Sequence, residues 1–430
     1  MRRPPRGRRP SPARPRRGPP TPPPPTGPKP GPAVPRPPPP GVRLAAVGEL
    51  EVTVERLVAG GDGLARFAGV PIFVARSAPG DRLRVRLVER RPDYGRAEIV
   101  EVLAAGPRRR EPPCPYFARC GGCDLQHLDD ALQPRLKAAA ARETLERIAG
   151  VELPAEAEVV AAQAWGYRLR TQLQVEIEEG RPRVGYHARG SRRLVAVDRC
   201  PILVPELEAE LAGLPDRLPE NPPRRLDLAA GGDGRVTASP LVAGLPAGEV
   251  ELEVGRFRYA YDARTFFQAH RGLVGRLVEV AVAEFTGEAA YDLYAGVGLF
   301  SLPLALRYAR ATAVEGDRVA ARFARNNARR NRVGNLEVVA QAVESWVAAL
   351  PQAVDRVVVD PPRDGLPRPI RRALLDQRPR RLTYVSCHPA TLARDLKDLA
   401  AAYRVESLVF LDLFPQSGHL ETVVQLTAAG

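Results

Sequence analysis

The sequence predicts a multidomain α/β protein with a small OB-like β-barrel near the N-terminus, a central α+β region and a C-terminal Rossmann-like sheet. The chain has 430 residues, of which 44% are hydrophobic, so it can bury more than one core. Short alternating runs separated by turn residues begin at residue 48 and indicate a barrel. After about residue 265, strand-like runs alternate with helix-like runs, which is typical of a doubly wound sheet.

The barrel is predicted from four alternating runs: ELEVTVERL, GVPIFVARS, DRLRVRLVER and GRAEIVEVL. The segments GGDG, APGD and RPDYG between them carry the glycine, proline and aspartate that favour turns. Barrels of this size often bind nucleic acid, and the arginines on these strands favour that role. A purely structural role is the alternative.

The N-terminal segment, residues 1–42, is predicted to be a disordered tail. Residues 1–40 hold 19 prolines, nine arginines and one lysine, with no acidic residue. The rest of the chain has 54 basic and 50 acidic residues, so most of the net charge of +14 lies in the tail. Such a segment favours polyproline II and adds nonspecific affinity for phosphates, unless it is only a solvated extension.

The compartment is predicted from what the N-terminus lacks. It has no apolar segment of the kind found in secretory signals, and no run of about 18 apolar residues is present to span a bilayer. We therefore expect a cytoplasmic protein that neither associates with a membrane nor requires a protein partner. In a reducing compartment, cysteines bind metals or catalyse reactions more often than they form disulfides.

Four of the five cysteines have the spacing of a metal site. Cys114, Cys120 and Cys123 follow a C-x5-C-x2-C pattern, and Cys200 lies far downstream, before a proline. Four thiolates complete the ligand set of either zinc or an iron–sulfur cluster. Three clustered ligands with a distant fourth favour the iron–sulfur cluster, and zinc remains the alternative.

Between Cys123 and Cys200 the chain first predicts a helix, LDDALQPRLKAAAARETLERIAG, and then a strand meander with an arginine-rich hairpin. Four arginines of this meander are singled out as candidates: Arg181, Arg183, Arg192 and Arg193. They could contact RNA phosphates, or they could form an ordinary solvated face.

The C-terminal region carries its polar residues at the ends of predicted strands. Tyr294 and Gly296 follow the first strand, Glu315 ends the second, and Asp360 and Cys387 end two later strands. In open α/β sheets, ligands bind at the carboxyl ends of the strands. These five positions are therefore the candidate site.

The glycine turn of this region indicates which cofactor binds. A dinucleotide fingerprint would have a third glycine at position 301, where this chain has Ser301. S-adenosylmethionine has no phosphates to bind and requires an acid for its ribose hydroxyls, a role that suits Glu315. Methyl transfer is therefore favoured over nicotinamide chemistry.

Seven motifs in order along the chain resemble the bacterial RNA uracil-5 methyltransferases: CPYFARCGGCDLQHL, FFQAH, DLYAGVGLFSLPLA, VEGD, VVVDPPRDGL, YVSCHPATLARDL and DLFPQSGHLETV. The resemblance covers residues 48–430 and is to the branch with an N-terminal TRAM barrel and an iron–sulfur site. It implies the following division of the chain: a tail at 1–42, the TRAM-like barrel at 43–106, a central iron–sulfur and RNA-binding domain at 107–262, and a class I methyltransferase domain at 263–430.

The resemblance also implies the roles of individual residues. Cys387 would be the nucleophile and Glu421 the general base. The [4Fe–4S] cluster would be held by Cys114, Cys120, Cys123 and Cys200. S-adenosylmethionine would be bound by Gln268, Tyr294, Gly296, Glu315 and Asp360. Four positions depart from residues common in the family: His270, His388, Leu299 and Ala342.

The reaction explains these residue types. Carbon 5 of uracil is a poor nucleophile until a thiolate adds to carbon 6, and a carboxylate must later remove the carbon 5 proton. On the residues alone, Cys387 could equally be a buried apolar side chain. Phe266 and Phe267 could both be core, but Gln268 follows them, so we expect Phe266 to stack on an extruded base.

Other functions are weighed against this one. RNA cytosine-5 methyltransferases resemble each other in having a second cysteine after an Asp-Pro-Pro strand end, and residues 360–363 contain none. A non-catalytic iron–sulfur RNA-binding protein is disfavoured because Cys387, Asp360 and Glu421 are all present. The barrel and cluster resemble enzymes of large-subunit ribosomal RNA, so 23S rRNA is favoured over the transfer RNA T-loop.

Removal of residues 1–40 should weaken RNA affinity at low salt, because nine arginines and one lysine are lost. Turnover on a small RNA fragment at saturating RNA should stay nearly unchanged, because no predicted site residue is removed. Binding measured over a salt series, together with steady-state methyl transfer, tests this prediction. A large loss of turnover at saturating RNA would mean that the tail is part of the site.

Overall fold

A computed structural model describes residues 48–429 of the chain. The predicted tail at residues 1–42 lies outside this range. No helix in the described part of the chain is long and apolar enough to cross a bilayer.

The predicted barrel is confirmed as a closed five-stranded barrel in the order β1-β2-β3-β5-β4. Its strands are β1 (Glu49–Leu57), β2 (Gly63–Phe67), β3 (Val70–Val74), β4 (Arg82–Arg90) and β5 (Gly95–Ala104). The alternating pattern gives each strand one buried face, so that Val52, Ile72 and Leu83 fill the interior and the arginines of β4 point outward.

The middle of the chain forms a five-stranded antiparallel sheet in the order β11-β10-β7-β8-β9, with a separate hairpin β12-β13. These strands are β7 (Arg170–Glu178), β8 (Arg181–His187), β9 (Leu194–Ala196), β10 (Arg225–Ala230), β11 (Val236–Ser239), β12 (Val250–Val254) and β13 (Phe257–Tyr261). The helices are α1 (Gln133–Ala149), α2 (Pro205–Leu211) and α3 (Leu214–Arg217). The predicted helix and arginine-rich hairpin are thus present as α1 and β7–β8.

The C-terminal region is an eight-stranded sheet in the order β16-β15-β14-β17-β18-β20-β19-β6, which confirms the predicted Rossmann-like architecture. Its strands are β6 (Glu158–Val160), β14 (Gly287–Leu293), β15 (Tyr308–Glu315), β16 (Leu336–Ala340), β17 (Arg356–Val359), β18 (Arg381–Ser386), β19 (Tyr403–Leu411) and β20 (Glu421–Ala428). The helices are α4 (Val274–Val282), α5 (Ser301–Arg307), α6 (Arg318–Arg330), α7 (Val343–Trp346), α8 (Arg368–Gln377) and α9 (Pro389–Leu399).

Two elements from the range predicted as the central domain pack on this C-terminal sheet. Strand β6 pairs in parallel with β19 at the sheet edge. Helix α1 packs against α9, and its Ala138, Ala141 and Leu145 join the hydrophobic core of the C-terminal sheet. The central segment is therefore fastened to the C-terminal sheet, and the boundary at 262/263 stays a prediction.

The order and register of β17, β18 and β20 bring the ends of the first two strands and the start of the third together. Val359 at the end of β17 pairs with Tyr384 of β18 in a parallel register. Strand β20 runs antiparallel to β18, and Ser386 pairs with Thr422. The residues next to these pairs, Asp360, Cys387 and Glu421, consequently meet at one edge of the sheet.

The nine-residue loop between β19 and β20, residues 412–420, touches the barrel. A Cβ atom added to Gly418 would lie 2.2 Å from the carbonyl oxygen of Gly60 in the barrel. Only glycine allows this close approach, because any side chain would collide with backbone. The barrel is thereby seated directly against the loop that leads into β20.

Candidate active site and cysteine site

A cleft at the carboxyl ends of the parallel strands brings together five of the residues predicted from the sequence. Gln268, Tyr294, Gly296 and Asp360 line it, and Phe266 lies at its side. Gln268 donates a hydrogen bond from Nε2 to Asp360 Oδ2 at 3.3 Å, whereas its Oε1 has no partner. A buried, unpaired amide oxygen facing a cleft indicates a place for a ligand donor.

The glycine turn after β14 is organised by Glu315. Gly296 has φ +56°, a region that glycine adopts freely, and its N–H donates to Glu315 Oε2 at 2.7 Å. Asp317 N–H donates to the other oxygen, also at 2.7 Å. The carboxylate is thus fixed at the end of β15. Tyr294 also has a left-handed backbone, φ +66°, and its hydroxyl donates to Glu344.

Asp292, one residue before the end of β14, is a buried acid that the sequence analysis missed. Ser301 donates a hydrogen bond from its hydroxyl to Asp292 Oδ2, which explains why a serine replaces the third glycine. The second oxygen, Oδ1, has no partner. Burial raises the pKa of Asp292 to about 7, with smaller contributions from Asp360 and Glu315.

Cys387, Asp360 and Glu421 form the second part of the site. The Glu421 side chain is 2% exposed and its Oε1 has no partner. Burial, reinforced by the charge of Asp360, raises the pKa of Glu421 well above its ordinary value, and burial raises that of Asp360 to about 7. Burial and the neighbouring Glu421 raise the pKa of Cys387 to about 12, so the resting side chain is a thiol.

Arg363 and His419 complete this group and were not predicted. Arg363 lowers the pKa of both Cys387 and Glu421 by its positive charge. Its Nη2 donates to His419 Nε2 at 3.1 Å, and burial lowers the pKa of His419 to about 4, so the imidazole is neutral and can accept. The signal was present in the sequence, because Arg363 ends the motif Asp-Pro-Pro-Arg and His419 lies two residues before Glu421.

The two adjacent phenylalanines separate into different environments. Phe267 is 2% exposed and stacks on Tyr261, with ring centroids 4.2 Å apart. Phe266 is 63% exposed, with the guanidinium of Arg170 6.0 Å from its ring centroid. A large exposed aromatic beside a cleft is available to stack on a base. The predicted role of Phe266 remains a prediction.

The two histidines that depart from the family pattern have structural roles here. His270 is fully buried, stacks on Tyr167 and contacts the carbonyl oxygen of Gln163 at 3.1 Å. His388 caps the N-terminus of α9, accepting the N–H of Thr391 at its Nδ1. Leu299 lines the cofactor cleft, and Ala342 caps α7 from an exposed position. None of the four adds a charged group to the cleft.

All four cysteines of the predicted metal site line one cavity of about 260 Å³. Cys114, Cys120 and Cys123 lie on the loop before α1, and Cys200 approaches from the loop before α2. Burial raises the pKa of Cys123 to about 12 and that of Cys200 to about 11. Arg363, Phe414, Ser417 and His419 line the same cavity, so it reaches the catalytic edge of the sheet.

The cavity that the four thiols share with other side chains is larger than one ion would fill. Among residues 48–429, no group of three or more His, Cys, Asp or Glu side chains is arranged to hold a metal ion. In a tetrahedral zinc site each sulfur lies about 2.3 Å from the metal, which requires much closer convergence.

The C-terminal sheet has a glycine turn after its first parallel strand and an acid at the end of the second. A polar cleft lies at the ends of its strands. Together these features define the class I methyltransferase fold.

Comparison with known proteins gives the family. Residues 248–429 match the tRNA (uracil-5-)-methyltransferase model, and residues 47–100 match the TRAM domain. The chain is 35% identical over 418 residues to the 23S rRNA (uracil(1939)-C(5))-methyltransferase RlmD of Pectobacterium atrosepticum, covering 87% of this chain and 92% of that protein. It is also 35% identical to the protein of the same name from Chromohalobacter salexigens, covering 87% and 89%.

Among solved structures, the Pyrococcus abyssi tRNA (uracil-54, C5)-methyltransferase in complex with S-adenosyl-L-homocysteine superposes with a TM-score of 0.68 at 25% identity. The alignment covers 88% of this chain and 100% of that one. The chain belongs to the RNA uracil-5 methyltransferase family, enzymes that methylate carbon 5 of uridine with S-adenosylmethionine.

Replacing Asp292 with asparagine should flatten the pH dependence of stability between pH 4 and 7. The folded-state pKa is raised from its usual 3.8 to about 7, so the folded chain binds the proton more tightly and its free energy of unfolding falls as pH rises through this window. The asparagine carbonyl can still accept from Ser301. At pH 8 the variant should therefore be more stable, by on the order of 2–4 kcal/mol.

Denaturant unfolding of both proteins without S-adenosylmethionine, from pH 4 to 8, measures this difference. If the two curves stay parallel over the whole range, Asp292 does not titrate as its burial requires.

Proposed function

We propose that this chain methylates carbon 5 of a single uridine in 23S ribosomal RNA through a covalent adduct of Cys387, with Glu421 as the general base. The observation that carries the proposal is the antiparallel pairing of Ser386 with Thr422, which sets the thiol and the carboxylate side by side. The cofactor cleft opens at the same sheet edge, and Asp360 lies between this cleft and the pair of Cys387 and Glu421.

The reaction begins at Cys387. The thiol first gives up its proton to solvent, and the thiolate then adds to carbon 6 of the uracil ring, which converts carbon 5 into the nucleophilic carbon of an enolate. Arg363 favours the thiolate, because its positive charge lowers the pKa of Cys387. When bound, S-adenosylmethionine would supply a sulfonium-bound methyl group: carbon 5 takes it up with the electron pair of the enolate, the methyl–sulfur bond breaks, and S-adenosylhomocysteine leaves.

Glu421 then acts on carbon 5. Its carboxylate removes the proton, the carbon 5–carbon 6 double bond reforms, and the Cys387 thiolate leaves carbon 6. A carboxylate with a raised pKa is the stronger base, and burial beside Asp360 raises the pKa of Glu421. Its unpaired Oε1 is free to take this proton.

We further propose that Cys114, Cys120, Cys123 and Cys200 hold a [4Fe–4S] cluster. The support is that all four thiols line one cavity of about 260 Å³, and that three clustered ligands with a distant fourth favour a cluster over zinc. Such a cluster would fasten the loop before α1 to the loop before α2. Cys387 does not line this cavity.

The choice of ribosomal RNA rests on similarity. The relatives named for 23S rRNA align over 87% of this chain at 35% identity, whereas the tRNA enzyme of P. abyssi aligns at 25%. The transfer RNA T-loop uridine is the second candidate, since that structure has the same overall fold.

The substrate is tested with purified enzyme and labelled S-adenosylmethionine on unmodified 23S rRNA and unmodified tRNA transcripts. Mapping of 5-methyluridine should find one site in 23S rRNA and none in tRNA. Label confined to tRNA would replace the proposed substrate, and 5-methylcytidine in either RNA would contradict uracil as the target base.

Protein purified without oxygen should be brown and hold about four irons and four sulfides per chain. A Cys200→Ser variant should lose most of this iron, because the distant cysteine is one of four ligands. The matched control is Cys387→Ala, which should keep the full iron content because residue 387 lies outside the cavity. Stoichiometric zinc without iron would contradict the cluster.

The variant Glu421→Gln should accumulate the covalent intermediate. An amide cannot accept the carbon 5 proton, while addition and methyl transfer can still occur. A denaturing gel should show RNA attached to protein and carrying label from the methyl group of S-adenosylmethionine.

The control for this experiment is Cys387→Ala, which should show neither adduct nor product. Turnover of Glu421→Gln at the wild-type rate would remove Glu421 from the role of base. Methylation by Cys387→Ala would remove the covalent mechanism altogether.

A further inference from the structure

The loop of residues 412–420 determines where Glu421 lies, because β20 begins at that residue. Leu411 and Glu421 are paired at the mouth of the loop. Its Phe414, Ser417 and His419 face the cysteine cavity. Any change in the shape of this loop would therefore be passed to the carboxylate of Glu421.

A single lysine ammonium holds the loop from inside. Lys137 lies on α1, and its Nζ donates to Asp412 Oδ1 at 2.5 Å. The same atom donates to three backbone carbonyl oxygens of the loop, those of Phe414 at 3.1 Å, Ser417 at 3.2 Å and His419 at 3.0 Å. Four acceptors thus surround three N–H donors, and both halves of the loop are held at one point.

The ammonium and its carboxylate partner are shielded from solvent. The side chains of Lys137 and Asp412 are each 2% exposed, so water does not reach the pair. Burial lowers the pKa of Lys137, and the Asp412 carboxylate opposes that effect. Without the ammonium, the carbonyl oxygens of Ser417 and His419 would lose the donor that they have in the described part of the chain, whereas that of Phe414 would keep the N–H and hydroxyl of Ser417. Buried polar groups without a partner are destabilising.

A second side chain one turn earlier on α1 reinforces the first. Gln416 is fully buried and has φ +67°, a conformation that costs energy for a residue with a side chain. Its N–H donates to Gln133 Oε1 at 3.0 Å, and its Oε1 accepts from Gln133 Nε2 at 3.0 Å. Its carbonyl accepts the N–H groups of Asp124 and Leu125, which directly follow Cys123.

Helix α1 is also the support of the nucleophile. It packs along α9, which begins at Pro389, two residues after Cys387. The same rigid helix therefore touches the element that carries the thiol and the loop that carries the carboxylate. The pairing of β18 with β20 sets the two reacting groups side by side, and the contacts of Lys137 and Gln133 on α1 fix the loop that leads into Glu421.

We propose that Lys137 is a positioning residue for proton removal: it holds loop 412–420 against α1 so that the Glu421 carboxylate faces carbon 5 of the uracil bound to Cys387. The inference rests on the proposed role of Glu421 as base. The proposal predicts a selective effect on one step. Loss of the ammonium should slow proton removal, and with it the breakdown of the methylated adduct, more than it slows binding of either substrate.

The test is the double variant Lys137→Met with Asp412→Asn, which removes the ammonium without leaving a lone buried carboxylate. In single-turnover experiments with labelled S-adenosylmethionine, the rate at which the methylated protein–RNA adduct disappears should fall about 10- to 100-fold, since a displacement near 1 Å has effects of this size. The dissociation constants for S-adenosylmethionine and RNA should change by less than about threefold.

The matched control is Arg135→Met, which removes a long basic side chain from an exposed position of the same helix. It should clear the adduct at the wild-type rate. A folded double variant that also clears the adduct at the wild-type rate would overturn the proposal. If that variant does not fold, Lys137→Gln with Asp412→Asn keeps N–H donors for the loop and should show an intermediate rate; a wild-type rate there would overturn the proposal equally.

Glu421→Gln, measured in parallel, separates this inference from the function on which it rests. If Glu421→Gln accumulates no adduct, the base role itself fails. If it accumulates adduct and the Lys137 variants do not, only the positioning role fails.

Discussion

The proposed active site depends on a reversal of strand direction inside the C-terminal sheet, where β20 runs antiparallel to both of its neighbours, β18 and β19. Strand β18 is the last of the five parallel strands, and β20 runs back beside it with Ser386 opposite Thr422. In a fully parallel sheet, only the C-terminal ends of strands would lie at this edge. The antiparallel strand β20 begins here instead, so a carboxylate at its first residue meets a thiol just past the last residue of β18.

Burial then gives these groups their chemistry. Asp360 and Glu421 are both acids in a desolvated edge, and burial raises the pKa of each, which makes Glu421 a stronger base than an exposed carboxylate. Buried acids lower the stability of the folded protein, and surrounding contacts must hold them in position. The support comes from outside the sheet, through the contacts of α1 and of the segment after Cys123 with loop 412–420. The cysteine loop and the methyltransferase fold thus share one set of hydrogen bonds.

The sequence predicted those parts of the molecule whose signals are local. Alternating runs gave the barrel, and the glycine turn with its acid gave Gly296 and Glu315, which a hydrogen bond joins at the ends of β14 and β15. It could not predict that β6 joins the C-terminal sheet, because a three-residue strand has no readable period. Nothing in the helical pattern distinguishes Lys137 from the other charged residues of α1. Its burial is a tertiary effect, visible only when α1 is seen against loop 412–420.

The central claim is that Cys387 adds to the uracil while Glu421 stands ready at carbon 5. RNA with 5-fluorouridine at the target position tests it most directly in the unaltered enzyme, because fluorine cannot leave as a cation and the base then has no proton to remove. Mass spectrometry of the digested complex should find one peptide, containing Cys387, linked to a nucleotide that carries both fluorine and the transferred methyl group. A nucleotide linked to another residue, or methyl transfer with no linkage at all, would contradict the account.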